Sequence, residues 1–480
     1  MIKLVSREKN LKKNNISLIT AAFPIFILVV LLSYNVFVYG DDALNGSNQF
    51  ILLIGGAVAA IIGFKNKIEY EFMIQKVAEN LKSVTGALLI LLFVGALAGT
   101  WLISGIIPAM IYYGLQILHP NIFLPACIII CAIISLATGS SWTTSATVGI
   151  ALIGIGTVLK IPSGMVAGAV ISGAYFGDKL SPLSDTTNLA PAMAGGELFT
   201  HIRYMTYTTV PSIIITLIVF FIFSLNYETS GTADTESLMT AINEKFSINS
   251  WLFLVPLTVI ILIVKKTPPI VALLIGTLLG GLFALIFQPG ILLEINDSEH
   301  LTPASAYRAI MDAISVSIEI STSNILLNDL FTSGGMEGML GTIWLIICAM
   351  VFGGIMDAIG ALTRISDALL NWAENTFQLF ASTVASCLAI NLTASDQYLS
   401  IVIPGKMFTK AYEDRGLAPE NLSRTLEDSG TVTSVLIPWN TCGAYQSGVL
   451  GVSVGEYFIY AIFNWISPFI TIFYAAFRIK

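Results

Sequence analysis

Long apolar runs, separated by short polar segments, dominate the pattern of this chain. A helix needs about 20 apolar residues to cross a hydrocarbon core about 30 Å thick, and several runs approach or exceed that length. The run 83–117, for example, contains no Asp, Glu, Lys or Arg. The pattern predicts membrane-spanning helices near residues 16–39, 49–64, 83–105, 122–138, 203–225, 249–264, 268–287, 336–360, 378–393 and 455–476.

The composition agrees with this pattern. Apolar residues make up 55% of the 480 positions and charged residues only 11%, whereas soluble domains carry about a quarter charged residues. The net charge of -7 comes without a basic arm, which argues against nucleic acid as a partner. No motif for a nucleotide, a metal or a catalytic nucleophile is present, so we expect neither an enzyme nor a cofactor.

Two segments interrupt the apolar pattern without being fully polar. Residues 139–198 and 394–452 are rich in Gly, Ser, Thr, Asn and Pro. Irregular backbone at membrane depth is tolerated only where it is buried in protein or lines a wet cavity. The two segments therefore predict broken helices or re-entrant hairpins.

Loop charges predict the orientation, because positively charged loops stay in the cytoplasm. A basic tail, residues 1–15, precedes the first run, and this run is too long for a signal peptide. Asp41 and Asp42 follow that run, which places their loop outside. Lys265 and Lys266 return the chain to the cytoplasm. Arg478 and Lys480 end the chain there, so we expect both termini in the cytoplasm of a multi-pass protein of the cytoplasmic membrane.

The two halves start on opposite sides, as an inverted repeat requires. Weak internal similarity supports this, since Ser140 and Ser395, Pro182 and Pro438, and Pro211 and Pro468 lie 255, 256 and 257 positions apart. The predicted fold is an all-α polytopic membrane protein with two inverted-topology repeats, broken helices and re-entrant hairpins. The predicted units are a basic tail 1–15, a first repeat 16–235 and a second repeat 236–480.

The most informative polar segment runs from 177 to 188. It holds two carboxylates around Pro182, which breaks the helix and frees backbone carbonyls. Carboxylate, hydroxyl and amide oxygens suit a hard cation such as Na⁺, so we expect Na⁺ at Asp178 and Asp185. The neighbouring ligand candidates are Thr186, Thr187 and Asn188. The alternative is an interfacial loop in which Asp178 and Lys179 form a solvated pair.

Other polar breaks supply further candidates for ion or substrate binding. Those of the first half could equally be Ser and Thr that pack helices together. The candidates are Ser140, Ser141 and Thr143 in the first half, and Asp396, Thr431, Asn440 and Thr441 in the second.

Proton coupling needs an acid or base that titrates within the membrane domain. The candidates are Asp178, Asp185, Asp357, Lys179 and Asp428. Asp357 stands inside an apolar run without a cation nearby in sequence, which predicts a lone buried acid. The alternative is that it lies at the end of its span, in water near Arg364.

The segment GDKLSPLSDTTNLAPAMAG, residues 177–195, resembles a signature of the NhaC family of Na⁺/H⁺ antiporters. GSSWTTSATVG before it and DSGTVTSVLIPWNTCGAY, residues 428–445, are also similar to that family. The resemblance implies an inverted-repeat fold whose hairpins and broken helices meet in mid-membrane. It implies a secondary transporter that exchanges Na⁺ for H⁺, with Na⁺, H⁺ and the lipid bilayer as partners. A homodimer is one assembly that the sequence allows.

Three other functions are weighed against Na⁺/H⁺ exchange. The first is a cation-coupled exchanger of small organic anions, such as malate against lactate, or of amino acids. The second is an intramembrane enzyme, which the positions of the three histidines disfavour. The third is a passive channel, which two pseudo-symmetric sets of broken helices disfavour, since they indicate alternating access.

Overall fold

The computed structural model describes residues 16–39, 43, 46–117, 119–226 and 232–477. The predicted basic tail 1–15, the acidic residues Asp41 and Asp42, and the C-terminal Arg478 and Lys480 lie outside the described residues.

The first half of the chain consists of helices. A 3₁₀ turn, Pro120–Ile122, precedes the fifth of them. The helices are α1 (Leu18–Tyr39), α2 (Ser47–Lys65), α3 (Tyr70–Ile103), α4 (Ile106–Ile117), α5 (Phe123–Thr138), α6 (Ser141–Val158, with a π-turn at Ser145–Gly149), α7 (Ser163–Leu180), α8 (Asp185–Ala194) and α9 (Leu198–Asn226).

The second half begins with α10 (Thr232–Lys245), α11 (Leu254–Val264, after the 3₁₀ turn Ser250–Phe253), α12 (Pro269–Phe287), α13 (Pro289–Ile295) and α14 (Pro303–Ser315). A small antiparallel pair, β1 (Ile318–Glu319) and β2 (Thr332–Ser333), flanks α15 (Ile325–Leu330). The remaining helices are α16 (Gly335–Gly338), α17 (Leu340–Ala358), α18 (Ala361–Asn371), α19 (Thr376–Thr393), α20 (Gln397–Glu413), α21 (Pro419–Leu426, continued by the π-turn Glu427–Thr431 and the 3₁₀ turn Ser434–Leu436), α22 (Thr441–Leu450), α23 (Val454–Tyr457) and α24 (Ile462–Ala476).

The prediction of an all-α polytopic membrane protein is confirmed. The described part of the chain has nine helices long and apolar enough to cross a membrane, and eight of them coincide with predicted runs. The ninth, α6, lies in the segment 139–198 that we expected to be irregular or broken. The sequence prediction missed this helix because its Gly, Ser and Thr residues give it a mean hydropathy of only 1.3, and 72% of its most apolar window is buried inside the protein.

Two predicted spans differ from the observed helices. The run 455–476 is not one helix, since α23 has four residues and α24 has fifteen. The run 249–264 forms a bent pair with α10, at an angle of 86°. The predicted boundary at residue 235 lies inside α10.

Glycines allow α5 and α7 to pack closely. A Cβ atom on Gly173 would lie 2.3 Å from the carbonyl oxygen of Ile128, and one on Gly177 would lie 2.3 Å from that of Ala132. Small residues let helix backbones approach in this way inside a membrane protein. The contact places the C-terminal end of α7, which carries Asp178, directly beside the end of α5.

The helix breaks recur in the two halves at a spacing of 256 residues. Gly139 and Ser395 both have a left-handed backbone, with φ of 70° and 59°. The next residues, Ser140 and Asp396, each cap the following helix. Ser140 therefore corresponds to Asp396, and the predicted match of Ser140 with Ser395 is wrong by one residue. The bounds of two further pairs of segments also repeat at this spacing, namely 163–180 with 419–436, and 185–194 with 441–450.

Contacts between the halves are reciprocal. Helix α7 contacts α24, and its counterpart α21 contacts α9, the counterpart of α24. Likewise α8 contacts α20, while α22 contacts α6. A two-fold relation between two similar units produces this exchange of partners. The opposite orientation of the two halves in the membrane stays a prediction.

We expect Gly173→Ala to destabilise the protein, because its Cβ would meet a backbone oxygen that cannot rotate away. Overpacking of this kind costs about 1–3 kcal/mol. Thermal unfolding of the purified protein in detergent measures the effect as a lower melting temperature. Gly341→Ala is the matched control, since its Cβ would have nothing within 4 Å. Equal melting temperatures for the two variants would contradict the close packing of α5 and α7.

Candidate functional site

A cavity of about 610 Å³ lies where the broken helices of the two halves meet. One side is formed by α3 and by the connection from α11 to α12, including the exposed Lys266. The other side is formed by the four helix breaks. The residues that the breaks contribute are Thr138, Gly139, Ser140, Trp142, Asp178, Pro182, Leu183, Ser184, Asp185, Thr186, Asp396, Gln397, Tyr398 and Thr441.

Four helices begin at this cavity, and a polar side chain caps each of them. Ser140 Oγ accepts a hydrogen bond from the Thr143 amide at 3.1 Å, and Ser184 Oγ faces the Thr187 amide at 3.5 Å. Asp396 Oδ1 accepts from the Leu399 amide at 2.9 Å, and Asn440 Oδ1 from the Cys442 amide at 3.1 Å. The caps satisfy amides that the helix itself leaves unpaired. The helix N-termini also direct partial positive charge toward the cavity.

Asp178 lies at the end of α7 and is held by the start of α6. Its Oδ2 accepts hydrogen bonds from the Ser141 amide at 3.0 Å and from Ser141 Oγ at 2.6 Å. These two donors keep the carboxylate in one orientation at the cavity wall. Asp185, in the first turn of α8, is exposed in the same cavity. The structure thus brings the two predicted Na⁺ ligands to one site.

The three polar residues after Asp185 make different contacts. Thr186 lines the cavity. Thr187 Oγ1 donates to the carbonyls of Asp178 at 3.3 Å and Lys179 at 3.1 Å. Asn188 Nδ2 donates to the carbonyls of Pro182 at 2.9 Å and Ser184 at 2.7 Å. Thr187 and Asn188 therefore pair the carbonyls that the helix break releases, and only Thr186 faces the cavity.

The remaining candidates of the first half support the same wall. Ser141 holds Asp178, while Thr143 is buried and donates its amide and its hydroxyl to Ser140 Oγ, the latter at 3.0 Å. Trp142 stacks on Tyr445 of the second half, with ring centroids 4.1 Å apart, and Tyr445 donates to the Trp142 carbonyl at 3.1 Å. The stacking ties the start of α6 to α22.

Asp396 is the cavity acid of the second half. Its Oδ1 caps α20, but its Oδ2 is buried without a hydrogen-bond partner. Thr441 lines the cavity, and Asn440 binds the Asn391 carbonyl at 3.1 Å. The Thr431 hydroxyl is buried without a hydrogen-bond partner, away from the cavity surface. Free buried oxygens of this kind can serve as ligands of a cation.

Lys179 and Asp428 form a buried ion pair between α7 and the π-turn that follows α21. Both side chains are fully buried. Asp428 Oδ2 also accepts hydrogen bonds from Thr208 at 2.8 Å and from Thr471 at 2.5 Å. The alternative interpretation, a solvated pair of Asp178 and Lys179, is wrong because Lys179 turns away from Asp178 and into the protein.

Asp357 does not belong to this site. It lies near the C-terminal end of α17, does not line the cavity, and pairs with Lys76 at 3.4 Å. The two side chains are 31% and 23% exposed. The interpretation of Asp357 as a lone buried acid is therefore wrong, since a helix distant in sequence supplies its cation.

Sequence reasoning missed several residues of the site. Trp142, Tyr398 and Lys266 reach the cavity from three different helices or loops. Trp142 and Tyr398 stand beside predicted site residues, whereas nothing in the local sequence places Lys266 at the cavity. Glu427 lies in the polar segment 394–452, directly before the candidate Asp428, and is not itself among the sequence candidates. Within the described part of the chain, no three His, Cys, Asp or Glu side chains come together as a transition-metal site needs.

Comparison with known proteins identifies a single family. The family model described as "Na+/H+ antiporter family" matches residues 173–479. The chain is 35% identical to the Na⁺/H⁺ antiporter NhaC of Alkalihalophilus pseudofirmus, over 95% of each chain. It is 36% identical to the malate-2H⁺/Na⁺-lactate antiporter of Bacillus subtilis, over 92% of this chain and 89% of that one. It is 32% identical to the arginine/ornithine antiporter ArcD of Halobacterium salinarum, over 94% and 90%.

The buried pair of Lys179 and Asp428 predicts a strong difference between single and double substitutions. Lys179→Met or Asp428→Asn alone leaves a charge buried without its partner, which costs about 3–5 kcal/mol. The double variant removes both charges, so we expect it to recover most of that loss. Unfolding in a denaturing detergent measures the three free energies.

The exposed pair provides the control for this cycle. Lys76→Met breaks the partly exposed contact with Asp357 and should cost only about 0–1 kcal/mol. If the double variant loses as much free energy of unfolding as the two single variants lose together, Lys179 and Asp428 do not compensate each other.

Proposed function

The chain belongs to the Na⁺/H⁺ antiporter family, and we propose that it exchanges Na⁺ for H⁺ across the cytoplasmic membrane by alternating access. The observation that carries this proposal is the convergence of Asp178, Asp185 and Asp396 on one cavity, at the junction of two sets of broken helices. No resident cofactor enters the proposal, because the transported ions supply the chemistry.

The cavity fits a small hard cation. Carboxylate and hydroxyl oxygens are the ligands that Na⁺ shares with other hard cations. Asp178 is oriented by Ser141, so little motion is lost when it binds an ion. Asp185 is exposed and can move toward an ion that enters. Asp396 lines the same cavity from the second half, and its Oδ2 has no hydrogen-bond partner.

Alternating access needs two units that can tilt against each other around a fixed site. We propose that the units are the inverted repeats 16–235 and 236–480. The recurrence of the helix breaks at 256 residues and the reciprocal contacts between the halves support this division. Lys266 lies on the cavity wall and on a loop that its charge assigns to the cytoplasm. We therefore propose that the cavity faces the cytoplasm in this conformation, on the side to which the loop charges assign both termini.

A second candidate is the exchange of a small organic anion or an amino acid together with cations. The observation that favours it is the set of four capped helix N-termini at the cavity, because helix N-termini attract anionic groups. Three carboxylates in the same cavity oppose it, since an anion would need a cation beside it. Na⁺/H⁺ exchange requires no such partner and is the better supported proposal.

Flux in proteoliposomes separates the two candidates. With an imposed pH gradient, we expect Na⁺ alone to dissipate the gradient, because the cavity oxygens can bind Na⁺ without an anion. A pH-sensitive dye measures the rate, with K⁺ as the control cation. If dissipation occurs only after malate, lactate or arginine is added, the Na⁺/H⁺ proposal is wrong and the second candidate holds.

Asp178 and Asp185 should each be needed for this flux. In Asp178→Asn and Asp185→Asn the amide keeps the shape but removes the charge that attracts Na⁺. We expect each variant to lose at least about tenfold in Na⁺-driven rate, equivalent to about 1.4 kcal/mol. Asp414→Asn, an exposed residue after α20, should behave like the unmodified protein. Full flux in both cavity variants at normal expression would exclude them as coupling groups.

A further inference from the structure

Glu427 is a buried acid without a partner. Its side chain has no exposed surface, and neither of its carboxyl oxygens has a hydrogen-bond partner. An ionised carboxylate in such a place costs many kcal/mol unless it is paired. The group must therefore be neutralised, either by a proton on one oxygen or by a cation beside them.

The neighbouring charges do not supply this neutralisation. Lys179 lies near Glu427 but is bound to Asp428, so that pair is neutral as a unit. Arg424, on the same helix, stacks on the ring of Tyr204, with 4.9 Å between the guanidinium carbon and the ring centroid.

The other charged groups on the elements around this turn are mostly acids. Asp178 of α7 lies near Glu427, and α8 and α20 bring Asp185 and Asp396 to the adjoining cavity. The two lysines of α20, Lys406 and Lys410, are exposed. Helices α19 and α24, which also contact the turn, contain no Asp, Glu, Lys or Arg. An additional cation or proton is thus favoured at this place.

The backbone at Glu427 departs from a regular α-helix. Glu427 begins a π-turn, in which the amide of Val432 bonds to the Glu427 carbonyl five residues earlier. Single π-turns inside helices are found frequently at functional sites. The hydroxyls of Thr431, on the same turn, and of Thr186, on α8, face the carboxyl. The Thr431 hydroxyl is itself buried without a partner.

The position of Glu427 connects it with the cavity. Thr186 and Asp178 both line the cavity and both lie near Glu427, which does not itself line it. Asp178, with its two donors from Ser141, remains an anchored carboxylate at the cavity wall.

We propose that Glu427 is the group at which H⁺ and Na⁺ exclude each other. In one state its carboxyl carries the proton; in the other it is ionised and binds Na⁺ together with the hydroxyls of Thr431 and Thr186. The proton leaves for the cavity as Na⁺ arrives, so the net charge at Glu427 is unchanged by the exchange. This inference rests on the proposed Na⁺/H⁺ exchange and assigns its coupling step to one residue.

Proton release on Na⁺ binding tests the proposal directly. Purified protein in weakly buffered detergent solution receives NaCl, with KCl as the control, and a pH indicator reports released protons. We expect the unmodified protein to release protons on addition of Na⁺ and Glu427→Gln to release at least tenfold fewer. Glu413→Gln, the same change at an exposed site at the end of α20, should release as many as the unmodified protein.

Two further variants keep the test independent of folding. Glu427→Asp retains an acid, so it should still release protons, with a shifted pH midpoint. Thr431→Val retains the acid but removes a Na⁺ ligand, so it should need severalfold more Na⁺ for half-maximal release. The melting temperature of Glu427→Gln should be no lower than that of the unmodified protein, because the amide is neutral in a site that disfavours charge.

The outcomes separate this inference from the proposed function. Undiminished release from Glu427→Gln, with Na⁺-driven flux intact, overturns the role of Glu427 and leaves the proposed exchange standing. Release that falls equally in Glu427→Asp and Glu427→Gln, at unchanged melting temperature, also contradicts an acid-specific role. If the unmodified protein shows neither release nor flux with Na⁺, the proposed function itself is wrong.

Discussion

Polar groups at membrane depth need partners, and the whole site follows from the way this chain provides them. Each broken helix starts with amides that lack an intrahelical acceptor, and water does not reach them from the lipid side. Ser140, Ser184, Asp396 and Asn440 supply the acceptors. Because all four caps stand at helix breaks, the breaks gather into one polar region, and the cavity is the space between them.

The same requirement separates the buried acids that have hydrogen-bond or ion-pair partners from those with unpaired oxygens. Asp428 is fully paired, by Lys179 and by the hydroxyls of Thr208 and Thr471, which makes it part of the scaffold. Asp178 is oriented but remains on the cavity wall. The free oxygens of Asp396 and Glu427 have no such partners. Unpaired buried acids are costly, and Asp396 is one that lines the cavity, which is why we propose that these acids take part in cation exchange.

The two halves repeat the same helix breaks but carry different residues there, so the site is asymmetric. The two halves share their helix breaks, yet the position 256 residues after Asp178 is Ser434, and the one after Asp185 is Thr441. The second half places its acids at Asp396, Glu427 and Asp428 instead. Equivalent helix starts of the two halves thus line one cavity, but the charged residues at them differ between the halves.

The apolar pattern by itself determined the membrane class, most of the spans and the approximate positions of the helix breaks, because span length and Gly or Pro breaks depend on local sequence. The Asp178 to Asn188 segment also determined the family resemblance, which the comparisons confirm. Tertiary structure alone decided which charges meet. Lys179 forms an ion pair with Asp428, 249 positions away in sequence, and Asp357 forms one with Lys76. These pairings depend on how distant helices pack, and no local pattern of residues records that packing.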